Sequence, residues 1–167
     1  MKTLALAVTA ALIGLPGAAQ AAAPTVTHER GIVLECTGTI KQRPVYASLY
    51  ENSAYQNVLQ ILIGKDGHQI GGGREPKAKF LNGKRVTATM KVGGDRARVA
   101  GTAARYGKRI AVHESFDDAG EHIVVDGFHR KLRNDLTFTW RGRTVPLDCD
   151  TAFAYDLQVS RESTVED

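Results

Sequence analysis

The sequence predicts an all-β fold: an antiparallel meander β-barrel of about eight to ten strands with one disulfide, with a β-sandwich as the alternative. Three observations lead there. Apolar residues recur with period two, and no segment carries a helical stripe. Clusters of Gly, Asn and Asp break the chain into short runs. Two cysteines, Cys36 and Cys149, stand near the two ends of the region that alternates. A barrel is preferred because short turns join neighbouring strands and closure removes exposed edges.

Residues 1–21 read as a cleavable signal peptide. Lys2 supplies a positive start, Leu4 to Leu15 is uncharged and apolar, and Ala19-Gln20-Ala21 fits a small-x-small cleavage site. The apolar run of 12 residues is too short to span a bilayer. The protein is therefore expected to be secreted or periplasmic after cleavage near Ala21, and not membrane-spanning. The remaining 146 residues suit one domain. Two cysteines in an exported chain are expected to pair. Residues 22–30 read as a flexible lead-in, 31–159 as the β domain, and 160–167 as a fraying polar tail.

Within the domain, Ile32, Leu34, Cys36 and Ile40 share one face of the first run. Leu59, Ile61 and Ile63 follow, then Val86, Ala88, Met90 and Val92, then Ala97, Val99, Gly101 and Ala103. Ile110, Val112 and Phe116 precede Ile123 and Val125. Leu136, Phe138 and Trp140 precede Phe153, Tyr155, Leu157 and Val159. A three-residue loop at Asn82-Gly83-Lys84 sets Phe80 opposite Val86. A two-residue loop at Gly94-Asp95 sets Val92 opposite Ala97 and Lys91 opposite Arg98. The small inward residues Ala88, Ala97, Gly101 and Ala103 leave space that Phe80, Phe138, Trp140, Phe153 and Tyr155 can fill. The alternative is a ligand cavity of lipocalin type.

Charge is distributed unevenly. From Arg74 to Arg109 there are eleven basic residues against Glu75 and Asp95, a local net charge of +9. From Ile110 to Asp167 six basic residues meet twelve acidic ones. Like charges directly opposite on paired strands cost some tenths of a kcal/mol, so a basic hairpin needs solvent screening or an anionic partner. The functional reading is a docking face for an anionic macromolecule or an acidic protein patch, with Arg85, Lys91, Arg96, Arg98, Arg105 and Tyr106 as contacts. The plain alternative is a solvated face. Nucleic acid is disfavoured: no helix is available to enter a groove, few aromatics interleave the cations, and the chain is exported.

Catalysis has little support. A four-residue loop at Asp117 to Gly120 sets Ser115 opposite His122 and His113 opposite Val124. Asp126 then lies about 13 Å along the strand from His122, too far for the hydrogen bond that a catalytic triad requires. His113 and His122 would be diagonal neighbours, short of a third metal ligand. Glu114 points inward in this register, as a satisfied structural group or a ligand-cavity residue. No catalytic residue, metal or cofactor is expected. An enzyme using Glu114 or the His113/His122 pair remains the last alternative.

The closing stretch Phe138-Thr139-Trp140-Arg141-Gly142-Arg143-Thr144-Val145-Pro146-Leu147-Asp148-Cys149 resembles that of the membrane-bound lysozyme inhibitor family, inhibitors of c-type lysozyme. The resemblance implies a small exported eight-stranded barrel whose final cysteine pairs with one in the first strand, here Cys149 with Cys36. It also implies inhibition by a loop inserted into the enzyme cleft. The family's Ser-x-x-Gly-x-x-Tyr loop aligns with Ala100 to Tyr106, where Tyr106 matches and Ala100 and Ala103 replace the Ser and Gly. The expected function is thus a non-catalytic exported binding protein, an inhibitor of a secreted enzyme or a binder of an anionic surface. A carrier of a small apolar ligand is the alternative.

Overall fold

The period-two alternation is realised as ten antiparallel strands in a single sheet. They are β1 (Thr25–Ile40), β2 (Arg43–Asn52), β3 (Val58–Ile63), β4 (Ile70–Arg74), β5 (Leu81–Asn82), β6 (Arg85–Val92), β7 (Asp95–Arg105), β8 (Ile110–Asp118), β9 (Glu121–Trp140) and β10 (Arg143–Ser163). The structure is a computed structural model and describes residues 23–65, 68–74 and 76–164. The stretch read as a signal peptide, with its expected cleavage near Ala21, lies outside the described residues. Strand order is β4-β3-β2-β1-β10-β9-β7-β6-β5, with β8 paired to β9. This is a meander joined across its ends by the β1–β10 pair.

One face of the curled sheet forms the core. Leu34, Ala47, Leu49, Ile61, Val86, Val99 and Phe138 are fully buried there. Each buried branched or aromatic side chain contributes roughly 1.5–3 kcal/mol. Ala88, Ala97 and Ala103 share this packed core with Phe80, Phe138 and Trp140.

The closed barrel expected from the sequence is not formed. The sheet is an open, curled half-barrel whose outermost strands are β4 and β5. β4 has three consecutive glycines, Gly71 to Gly73, and β5 has two residues. Glycine in a strand supplies no side chain to pack and loses the most entropy on ordering. The two margins approach without joining: a Cβ placed on Gly72 would lie 3.2 Å from Met90 Cε.

The Cys36–Cys149 disulfide ties β1 to β10 across a directly opposed pair. Just beyond it the register shifts: Cys36 faces Cys149, but Glu35 faces Thr151. Asp150 is the extra residue, and a one-residue bulge moves every following side chain to the other face. Ala152 and Ala154 therefore continue the inner face. Phe153 and Tyr155, expected inside, lie on the outer one.

The strands run further than expected at both ends. β1 begins at Thr25, within the stretch read as a lead-in, and β10 continues to Ser163, within the stretch read as a tail. Their outer halves pair with each other and with the first half of β9, which also holds β8. These four segments make an arm extending beyond the half-barrel. Ile123, Tyr155 and Val159 are buried on one face of it, while Phe116 on the same face is 45% exposed.

The arm meets the half-barrel at Gly31. There the Tyr155 hydroxyl donates to the Glu51 carbonyl oxygen at 2.8 Å. A Cβ on Gly31 would lie 1.5 Å from that oxygen and 2.7 Å from the hydroxyl. Gly31→Ala is expected to destabilise by about 2–3 kcal/mol, since backbone must move to admit the methyl. The urea midpoint should fall at constant m-value. A midpoint within error of wild type would contradict this packing.

Two turns are tighter than the sequence reading had them, and a third keeps its two residues but falls one position earlier, at Gly93-Gly94. Asn82 faces Arg85, Val92 faces Asp95 and Asp118 faces Glu121, so each connection has two residues. Gly93 and Gly94 both take positive φ, as do Ala119 and Gly120. Such turns match the right-handed twist of the flanking strands.

Candidate binding face

The β6–β7 hairpin alternates strictly. Val86, Ala88, Met90 and Val92 face the core, which forces Arg85, Thr87, Thr89 and Lys91 outward. On β7, Ala97 and Val99 point in and Arg96 and Arg98 point out. The turn, one residue earlier than expected, sets Lys91 opposite Arg96, not Arg98. Arg98 faces Thr89 on one side and Thr139 on the other. Arg85 faces Thr102. Asp95, the acid of this hairpin, is taken by Arg141 at 2.6 Å. No carboxylate among the described residues pairs with Arg85, Lys91, Arg96 or Arg98. Arg105 ends β7 and Tyr106 follows it, where the Arg133 guanidinium lies 5.3 Å from the exposed Tyr106 ring.

Two clefts adjoin this hairpin. A groove of about 370 Å³ follows the open seam between β4 and β6, with Arg74, Lys79, Lys91 and Arg96 around Phe80 and Met90. A larger cleft of about 830 Å³ lies at the end of the half-barrel, bordered by Arg30, Lys77, Lys79 and Arg105 with Tyr55 and Gln56. Its floor includes Glu51, which is buried. One carboxylate oxygen of Glu51 accepts from the backbone N–H groups of Phe80 at 2.7 Å and Leu81 at 3.1 Å. This anchors the 76–81 segment that separates the two clefts. Asn57 supports the same segment by donating to the Ala78 carbonyl at 3.2 Å.

Glu114 is not in the barrel interior. It lies exposed on β8, opposite Val125 on the arm. β8 pairs only with the outer half of β9, so its inward-looking period faces the arm instead of the core. The inward acid is Glu51, which the sequence reading passed over. The signal was Val45, Ala47, Leu49, Glu51, an unbroken period-two series ending in a carboxylate.

On the opposite face of the arm, histidines pair with aspartates. The tight turn brings His113 opposite Asp126, with Nδ1 2.5 Å from the carboxylate, and His122 opposite Asp117, with Nδ1 at 2.6 Å. Ser115 Oγ lies 3.1 Å from His122 Nε2. Ser115, His122 and Asp117 thus form a hydrogen-bonded chain that the four-residue loop had hidden. Asp117 is 76% exposed, and none of the clefts described here includes these three residues. Water-screened groups on an open strand lack the desolvated pocket in which such a chain activates a nucleophile. His113 stands opposite Asp126, four residues along β9 from His122, so the two are not the diagonal neighbours expected. No group of three or more metal-ligating side chains occurs among the described residues.

The hydrogen bond that His113 donates to the Asp126 carboxylate raises the His113 pKa. The pair therefore favours the folded state below the ordinary histidine value and ceases to do so as pH rises through the folded value. Asp156 behaves oppositely: its hydrogen bond with His28, then Arg30, lowers its pKa. That contribution is present above the ordinary aspartate value and lost as pH falls through the folded one. Asp126→Asn is expected to return His113 to the ordinary histidine range in an NMR titration. An unchanged curve would contradict the pairing. Tyr155 is held well above the usual phenol range, chiefly by burial and then by Tyr50.

The stretch aligned with the inhibitory loop of the lysozyme inhibitors, Ala100 to Tyr106, is strand as far as Arg105. That strand is the second half of β7, hydrogen-bonded along its length to β9. A Cβ on Gly101 would lie 2.0 Å from the Asp135 carbonyl oxygen. The disulfide between the first and last strands is present as the resemblance implied.

No protein-family model matches the chain, and no curated protein matches it. Among solved structures, it is similar to a Nitrosomonas europaea protein provisionally designated AttH, at 10% identity and a TM-score of 0.32. The alignment covers 84% of this chain and 52% of that one, so the chain spans about half the length of that protein.

Proposed function

We propose that this is an exported binding protein, not an enzyme, that docks an anionic macromolecular partner on the outer face of β6 and β7. The observation that carries this reading is Lys91 directly opposite Arg96, with Arg85 and Arg98 on the same face and no paired carboxylate among the described residues. Opposed like charges destabilise a strand pair. A sequence that retains them, and engages the hairpin's own Asp95 elsewhere, leaves a positive surface free to attract an anion. Inhibition of a secreted enzyme through an acidic patch is one form such binding could take.

The test is charge reversal. Lys91→Glu with Arg96→Glu is expected to weaken binding to a sulfated polysaccharide matrix by at least about tenfold, or ~1.4 kcal/mol. The variant should also elute at lower salt, with an unchanged circular dichroism spectrum. Retention equal to wild type would overturn the reading.

A further inference from the structure

The seam groove and the end cleft share a wall, because Pro76 and Lys79 line both. Between them they gather Arg96, Lys91, Arg74, Lys79, Lys77 and Arg105 on the two sides of the 76–81 segment. None of these six cations is ion-paired among the described residues, whereas Arg30 at the far side is held by Asp156 at 3.1 Å. Glu75, next to Arg74 in sequence, lies outside the described residues. The acid that does line the end cleft, Glu51, is engaged by two backbone N–H groups. Each depression alone has the size of a small-ligand site. Joined, they suit an extended chain better than a single anion.

The lining separates two kinds of polyanion. Single-stranded nucleic acid is held by successive aromatic platforms on which bases stack. Along these clefts Tyr55 is the exposed aromatic ring, while Phe80 is buried beneath the groove. Beside Tyr55 stand Gln56 and Ser53, both exposed. One ring with amide and hydroxyl groups among spaced cations suits a sugar face and its hydroxyls, interrupted by acidic substituents. Resting on the binding function proposed above, we infer that the two clefts form one continuous track for a linear anionic polysaccharide. The hairpin end supplies general attraction, and the Lys77/Arg105 end supplies length discrimination.

The experiment is calorimetric titration of the protein with heparin oligosaccharides from disaccharide to decasaccharide, beside single-stranded DNA of matched charge. Affinity is expected to rise more than tenfold with length before levelling off. Lys77→Glu with Arg105→Glu, both exposed positions, should abolish that rise, so that the decasaccharide binds no tighter than the disaccharide. Lys91→Glu with Arg96→Glu should weaken all lengths. Thermal melts establish that each variant is folded. Length-independent affinity, or a Lys77/Arg105 variant identical to wild type, overturns the track but leaves the basic-hairpin reading standing. No binding of any oligosaccharide by wild type overturns both. DNA binding as tight as the decasaccharide overturns the choice of polysaccharide.

Discussion

Replacing Cys36 and Cys149 by serine is expected to lower stability by about 4 kcal/mol. The crosslink closes a loop with a sequence separation of 113 residues, and constraining an unfolded loop of that size is worth roughly 4–5 kcal/mol in the chain-entropy model. Position adds to the effect. The bridge joins β1 to β10, the pairing that brings the two ends of the meander together, and Cys36 is fully buried. For a chain of this size the melting temperature should fall by roughly 10–15 °C. Reduction of the wild type should reproduce that loss, as read by scanning calorimetry. A drop of only a degree or two would mean that β1 and β10 are held by packing alone.

Glu51→Leu is the second large effect. The variant keeps an inward side chain of similar volume but removes the acceptor for the N–H groups of Phe80 and Leu81. A buried donor left without a partner costs about 1–3 kcal/mol, so the loss should approach 2–4 kcal/mol. Glu51→Gln, which retains a carbonyl oxygen in the same place, should lose less. The damage should also be local: limited proteolysis within 76–81 should accelerate in the leucine variant. Equal stability of wild type and Glu51→Leu would show that the 76–81 segment is held by other contacts.

Much of the architecture was legible in the sequence, because alternation is a direct consequence of strand geometry. Leu136, Phe138 and Trp140 face inward as their spacing required, and so do Val86, Ala88, Met90 and Val92. What escaped depends on single residues. Shortening the Asp117–Gly120 connection from four residues to two moved Asp126 from a diagonal position to one directly opposite His113, and set Asp117 opposite His122. The bulge at Asp150 carried Phe153 and Tyr155 out of the core, and an apolar period alone does not say which face it serves. The triple glycine of β4 left the sheet open, where the argument from unpaired edges had favoured closure. The basic residues were the most legible part of the candidate site. Their outward direction follows from the apolar residues between them, although Lys91 meets Arg96 and not Arg98. Glu51 was equally readable in principle, as the last member of an inward series, and Glu114 drew attention only because β8 was placed in the barrel.

The most direct measurement is NMR shift mapping of the protein titrated with a sulfated oligosaccharide. Perturbed amides should concentrate on β6 and β7, at Arg85, Lys91, Arg96 and Arg98, and fade as salt rises. Perturbations confined to the acidic arm of β8 and β9, or absent at every ligand concentration, would contradict a positive face built to bind.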